Sequence, residues 1–217
     1  QKRGSVTVSH GLGFTELDRP ADQVVDIEAQ KAVEEAKAAA GDVDAILGEA
    51  GAEEVEYDED ERERKAGVEV LDAAQKKGVV GVLDLLREKP DDTNIQWWCL
   101  DAVASLCVGK EEVRATAAGA GAVEAVVGAF RRHPRHEQVA VKGCWAVSVL
   151  AADLAKELGE QGGLAAVLAS MKVQPGNYQL QTIGCRAIDN LCKVPDNVPL
   201  AVKLGAPDLI RAALEAN

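Results

Sequence analysis

The chain has 217 residues and a net charge of −12, because 36 Asp and Glu outnumber 24 Lys and Arg. This acidic balance disfavours contact with nucleic acid or an anionic membrane, so the sequence predicts no nucleic-acid partner. The five cysteines are an odd number and lie on apolar stretches, which excludes a complete disulfide framework. We therefore expect an intracellular, reducing compartment, with cytosol, nucleus and organelle matrix left open.

The first 67 residues are predicted to differ from the rest of the chain. Residues 1–20 contain three glycines and lack helical periodicity, which is typical of an extended arm. Residues 21–52 are predicted to form short helices suited to cap the remainder of the chain. Residues 53–67 carry an acidic run, which we interpret as a solvated linker or the start of a helix; a docking site for a basic partner is the alternative.

From about residue 68 the sequence repeats a helical unit with a period of 41 to 44 residues. Four stretches begin with small residues and continue as apolar helices, at Lys77, Gly121, Gly162 and Gly205. Each of the first three leads to a proline, at Pro90, Pro134 and Pro175, and then to a helix rich in alanine and leucine. Because proline is excluded from a helix interior, each proline marks a turn between two helices. We therefore expect an all-α array with units at 68–110, 111–152, 153–196 and, in part, 197–217.

The last helix of each unit carries a motif that resembles a known family. Gly184–Cys192 reads GCRAIDNLC, and its ending resembles the Ala-Leu-x-Asn-Leu-Ala ending of the armadillo repeat. The resemblance covers about residues 68–217, with a two-helix HEAT-like array as the alternative. It implies a right-handed α-solenoid of about three and a half armadillo-like repeats with a partly helical N-terminal extension. In such a solenoid the third helices line a concave groove.

The resemblance also implies a candidate groove site. In peptide-binding members, an asparagine of the third helix bonds the backbone of an extended peptide, and a tryptophan one turn earlier forms slots for its side chains. Here this pair is divided among the repeats. The matching positions are Asn190 with Arg186, Trp145 with Val149, and Asp101 with Ser105. The alternative for Asn190 and Trp145 is a structural role, in bonding a neighbouring helix or in packing between repeats.

Two surfaces outside the groove are further candidate contacts. The first is a basic turn suited to an acidic partner or phosphate, with an ordinary solvated turn as the alternative; it contains Arg131, Arg132, His133, Arg135 and His136. The second is the partial fourth unit, which has no third helix over its apolar residues Leu209, Ile210 and Leu214. We expect this end to be covered by a partner, by the N-terminal arm or by a second copy of the chain.

The sequence contains no convincing motif for catalysis, for a metal or for a cofactor. His133 and His136 are flanked by arginines and have no further ligands nearby. Gly109-Lys110 is followed by Glu111, where a phosphate-binding loop requires Ser or Thr. We therefore predict that the chain is not an enzyme and binds no cofactor.

The predicted function is a non-catalytic protein–protein interaction scaffold, an accessory or structural subunit that bridges proteins of a larger assembly. The alternative is a transient adaptor that binds an extended or helical peptide in its groove, and an enzyme is a more distant one. No apolar run approaches the roughly 20 residues needed to cross a bilayer. The partners are therefore expected to be proteins, with membrane association only peripheral or through those partners.

Overall fold

A computed structural model describes residues 59–215 of the chain. These residues form nine helices and no strand, and 84% of them are helical, so the all-α prediction is confirmed for this part. The helices are α1 (Glu59–Glu88), α2 (Thr93–Cys107), α3 (Glu111–Gly119), α4 (Ala122–Arg132), α5 (Glu137–Glu160), α6 (Gly163–Val173), α7 (Tyr178–Cys192), α8 (Asn197–Lys203) and α9 (Ala206–Glu215).

The described residues all belong to one compact unit. The predicted arm and short helices, residues 1–52, lie outside the described residues. The beginning of the acidic run, residues 53–58, lies outside them as well. The described part of that run forms the exposed first turns of α1.

Two of the helices, α1 and α5, contain a kink that separates two helical arms. α1 bends at Gly78 (φ 59°, ψ −144°), and α5 bends at Leu154 (φ −115°, ψ 17°). With each arm counted separately, three helix positions recur along the described residues. First helices are residues 59–77, α3, residues 155–160 and α8; second helices are residues 79–88, α4, α6 and α9; third helices are α2, residues 137–153 and α7.

A glycine with a positive φ precedes every second helix. These residues are Gly78, Gly121, Gly162 and Gly205, with φ values of 59°, 72°, 88° and 83°. Glycine has no Cβ, so it adopts this conformation without the steric penalty that other residues meet. The sharp bends therefore lie at the small-residue stretches from which the sequence predicted them.

Short proline-containing turns join the second helices to the third helices, and a side chain caps the start of each third helix. The caps are Asp92 Oδ1 for α2, His136 Nδ1 for α5 and Asn177 Oδ1 for α7, which accept backbone N–H groups at 3.0, 3.4 and 2.9 Å. Such acceptors satisfy N–H groups that have no partner inside the helix. The turns thus end one helix and fix the first residue of the next.

Helices of the same position pack side by side. The third helices contact one another in the order α2, α5, α7, and the second helices in the order α1, α4, α6, α9. Second helices also pack against third helices, and two of these contacts are very close. A Cβ added at Gly143 would lie 2.6 Å from Phe130 Cζ, and one added at Gly184 would lie 2.5 Å from Met171 Sδ. The apolar core fills the space between these helices.

Helix α5 also bears on the question of a membrane span. Among residues 59–215 it alone is long and apolar enough to cross a bilayer, although 61% of its most apolar stretch is buried inside the protein. The pair α3 and α4 passes the same test only if these helices, bent by 73°, are taken as one span. Core helices of globular proteins pass it too. The absence of a membrane-spanning segment therefore stays a prediction.

Candidate functional site

The six predicted groove residues lie on the three third helices, two on each helix. Residues four apart share one side of a helix, so each pair projects from a single side. Asp101 is buried, Trp145, Val149 and Asn190 are half-buried, and Ser105 and Arg186 are exposed. We call these six positions the third-helix face.

Asn190 of α7 is hydrogen-bonded to the neighbouring third helix, α5. Its Nδ2 donates to both the backbone oxygen and Oγ of Ser148, at 3.0 Å each. Its Oδ1 accepts a hydrogen bond of 2.6 Å from Lys193 Nζ. A side-chain amide has two N–H donors, so both are used inside the protein. An extended peptide would receive a hydrogen bond from this amide only after Ser148 is released.

An ion pair connects α5 to the third helix on its other side, α2. Lys142 Nζ of α5 lies 2.7 Å from Asp101 Oδ1 of α2, and the two side chains are only 18% and 10% exposed. This oxygen is buried and has no hydrogen bond of good geometry, so the ammonium supplies its counter-charge. Lys142 Nζ also lies 5.8 Å from the centroid of the Trp145 ring, within the range of a cation–π contact. Trp145 is therefore positioned beside a cation that α2 holds in place.

A hollow of about 250 Å³ lies beside Asn190, between the kink of α5 and the end of α7. Its lining includes three small residues, Ala151, Ala152 and Ala155. Counted from the bend glycines, Ala155 corresponds to Arg114 of the preceding unit. Arg114 donates to the backbone oxygen of Cys107 at 3.2 Å and pairs with Asp153. The hollow is thus the position at which alanine replaces a large, hydrogen-bonded side chain.

The predicted basic turn is bonded to other parts of the fold. Arg132 pairs with Asp91 at 2.7 Å, and His133 Nε2 donates to the backbone oxygen of Pro90 at 2.7 Å. His136 caps α5, whereas Arg135 is exposed and makes no polar contact within the described residues. Most of this turn therefore has a structural role, because it bonds the turn that precedes α2. A contact with an acidic partner stays a prediction.

Arg131 belongs to a series of cations that the sequence analysis did not recognise. Each lies near the end of a second helix and donates to a backbone oxygen at the next bend. The pairs are Arg87 with Ala120 and Gly121, Arg131 with Gln161, and Lys172 with Leu204. A cation is favourable there because the last carbonyls of a helix carry partial negative charge. The signal available in the sequence was a basic residue nine or ten positions after each of the first three bend glycines.

The three predicted end-contact residues do not share one environment. Leu209 and Ile210 of α9 pack against the core and are half-buried, whereas Leu214 is 74% exposed. The residue that corresponds to Leu214 in α6 is Met171, which is fully buried. Exposed Val198 and Val202 lie nearby in sequence, on α8. This end of the described chain therefore presents apolar side chains, and its expected cover stays a prediction.

The cysteines act as packing residues in this structure. Burial raises the pKa of Cys99 to about 12, with Glu69 and Asp92 adding to the effect, and raises that of Cys107 to about 11. Burial also raises the pKa values of Cys144, Cys185 and Cys192. Thiols with raised pKa values stay protonated and are poor nucleophiles and metal ligands. Within residues 59–215, no group of three or more His, Cys, Asp or Glu side chains is arranged to hold a metal ion.

Comparison with known proteins adds no relative. No protein-family model matches the chain, and no curated protein and no solved structure resembles it at a significant level.

Proposed function

We propose that the chain is a non-catalytic protein–protein interaction scaffold, built as a right-handed α-solenoid of about three and a half armadillo-like repeats. The recurrence of equivalent contacts supports this architecture. The bend glycines, the cations that bond the bends and the helix caps all return at intervals of 41 to 44 residues. Such recurrence is expected when each repeat contacts mainly its neighbours.

Aromatic exposure supports a role in protein binding. Of the aromatic side chains in residues 59–215, Trp97 and Phe130 are buried, whereas Trp98, Trp145 and Tyr178 retain exposure. All three of the latter lie on third helices. Aromatic residues are enriched in protein interfaces, and the third helices of the proposed solenoid would line one surface.

Within this class, we favour a permanently bound accessory subunit over a peptide-capturing adaptor. The observation that carries this preference is the hydrogen bonding of Asn190. Its two N–H donors are both bound to Ser148, so the residue that would grip an extended peptide is already engaged. A scaffold that bridges its partners through edges and ends does not require that amide.

The adaptor function stays the second candidate because of Trp145. Its ring is half-buried and lies beside Lys142, an arrangement that would suit the side chain of a bound peptide. Extended peptides bind such faces through a few anchoring side chains.

The experiment that tests the proposal is the native size of the protein in a gentle extract, with the co-migrating proteins identified and then reconstituted from purified components. We expect a large, salt-resistant complex. Migration near the 22.9 kDa of the free chain would contradict a permanent subunit.

Variants of the third-helix face separate the two candidate functions. The variants are Asn190→Ala and Trp145→Ala, and Glu124→Ala on the exposed side of α4 is the matched control. For an accessory subunit, we expect all three proteins to keep their association with the reconstituted partner. Loss of association in the first two variants alone, with unchanged circular dichroism, would favour the adaptor.

A further inference from the structure

The start of α5 is capped by a side chain that titrates near neutral pH, unlike the starts of the other third helices. Asp92 and Asn177 cap α2 and α7 through oxygen atoms. In α5 the acceptor is His136 Nδ1, which lies 3.4 Å from the backbone nitrogen of Val139. Asn does not titrate, and Asp remains an acceptor well below neutral pH, whereas a histidine nitrogen accepts a hydrogen bond only while it carries no proton.

We propose that the turn formed by residues 132–137 is a pH-sensitive joint, which holds the start of α5 at neutral pH and releases it when His136 binds a proton. Protonation converts Nδ1 from an acceptor into a donor, so the cap of α5 is lost. It also places a positive charge at a helix N-terminus, where the partial charge of the backbone is positive as well. Both effects destabilise the first turn of α5.

The joint connects the neighbouring turns on both sides. Towards α2, Arg132 pairs with Asp91 and His133 Nε2 donates to the backbone oxygen of Pro90, both at 2.7 Å. Towards α7, Glu137 Oε1 accepts from Asn177 Nδ2 at 2.9 Å. Because Glu137 is the first residue of α5, loosening this start weakens the link to α7 directly. Protonation of one side chain would therefore change the connection between three consecutive turns.

The charges around His136 favour its neutral form at physiological pH. Partial burial lowers the pKa of His136 below its ordinary value, and the neighbouring His133 lowers it further. Glu137 opposes this effect, and Arg132 and Arg135 add positive charge to the same turn. Across the turn, Asp91 is paired with Arg132 and Asp92 caps α2.

The direction of the pH effect follows from this lowered pKa. The unfolded chain binds a proton at His136 at a higher pH than the folded chain does. The contribution of the cap to stability is thus fully present above the ordinary histidine pKa of about 6.5, and it is lost as the pH falls below that value.

Hydrogen exchange tests the proposal with two internal controls. Exchange is measured at about pH 7.5 and about pH 5.5 on the full chain, and it is corrected for the intrinsic pH dependence. We expect the protection of residues 138–141 to fall roughly three- to tenfold, the effect of losing one helix cap. Residues 94–97 and 179–182, which follow the other two caps, should keep their protection. An equal loss at all three starts would overturn the proposal.

Two variants separate the histidine from general acid effects. His136→Asn places the capping residue of α7 at this position, so the pH dependence of residues 138–141 should disappear while the fold is kept. His133→Gln removes the neighbouring imidazole that lowers the pKa of His136, so an NMR titration should show His136 titrating at a higher pH than in the parent chain. Persistence of the pH dependence in His136→Asn would refute the joint, as would a parent His136 that titrates above the ordinary histidine range.

Discussion

At the scale of single residues, buried amides bond one helix to another in this protein. Gln96, Gln181 and Asn197 are buried, and each donates two hydrogen bonds to backbone oxygens elsewhere in the chain. Removing such a donor leaves carbonyls that water reaches poorly, which is unfavourable. The more deeply such an amide is buried, the more its removal should lower the free energy of unfolding.

Two asparagines test this dependence on depth. Asn197 donates to Ala155 and Leu191 at 2.8 and 2.9 Å and is 4% exposed, whereas Asn190 is half-buried. We expect Asn197→Ala to lower the free energy of unfolding by about 2–3 kcal/mol and Asn190→Ala by about 1 kcal/mol, since water can replace the latter bonds. Urea unfolding curves of the two variants measure this difference, and the reverse order would contradict the argument.

The ion pair between Asp101 and Lys142 should act as a unit. Removing one partner leaves the other charge poorly solvated, so Asp101→Leu alone should destabilise the protein by about 2–4 kcal/mol. The double variant Asp101→Leu with Lys142→Met should recover most of this loss, because neither charge is left unpaired. A double-mutant cycle in urea measures the coupling between the two positions. Additive effects would show that the charges do not stabilise each other.

The sequence identified Asn190, Trp145 and Asp101 as candidates but not their partners. A polar residue on an apolar helix is visible from periodicity alone. Its partner is not, because Ser148 lies 42 residues from Asn190 and the contact depends on how two helices pack. The same reason explains why the sequence predicted a partner surface at the basic turn, although Arg131, Arg132 and His133 bond residues that lie 30 to 43 positions away.

At the scale of elements, glycines have two distinct roles that substitution by alanine can separate. Gly143 of α5 meets the ring of Phe130, which is a rigid, buried side chain, whereas Gly184 of α7 meets the flexible Met171. Gly128 of α4 is exposed and has no atom near the position of a Cβ. Alanine should therefore overpack the core at Gly143 and Gly184, whereas at Gly128 only its higher helix propensity should matter.

We expect Gly143→Ala to destabilise the protein by about 1–3 kcal/mol and Gly184→Ala by less, since methionine repacks more easily than phenylalanine. Gly128→Ala should stabilise it by about 0.5–1 kcal/mol, because alanine is the better helix former. Thermal unfolding followed by circular dichroism ranks the three variants. A destabilised Gly128→Ala or a neutral Gly143→Ala would be inconsistent with the packing described here.

The helix order was readable from the sequence because its signals are local. Gly121, Gly162 and Gly205 open second helices through a backbone conformation that only glycine adopts freely, and proline excludes itself from helix interiors. The kink at Leu154 has no such local signal, because leucine is a good helix former, and its position therefore depends on packing.

At the scale of the whole molecule, burial is distributed unevenly along the described chain. Helix α5 has 13 buried residues, whereas α8 has Asn197 and Ala201 and α9 has Ala206. In an array whose parts contact mainly their neighbours, stability need not be uniform. The last two helices should therefore open before the middle of the array.

Native-state hydrogen exchange in low urea checks this expectation. Residues 197–215 should lose protection at urea concentrations that leave residues 93–107 and 137–153 protected, because few buried contacts hold them. A bound partner that covers Leu214 would remove this difference. Simultaneous loss of protection along the entire described chain would instead show a single cooperative unit.

The cations at the bends have a consequence for the length of the molecule. The segment 122–162 contains both Arg131 and the carbonyl of Gln161 that it bonds, so a duplicate of this segment would bring its own donor and its own acceptor. Inserted in register, it would disturb neither the Arg87 contact before it nor the Lys172 contact after it. We therefore expect a chain lengthened by this segment to keep one such cation–carbonyl bond at each of these bends. The corresponding position in α9 is Glu215, a carboxylate, so a module placed after α9 would have to be joined by other contacts.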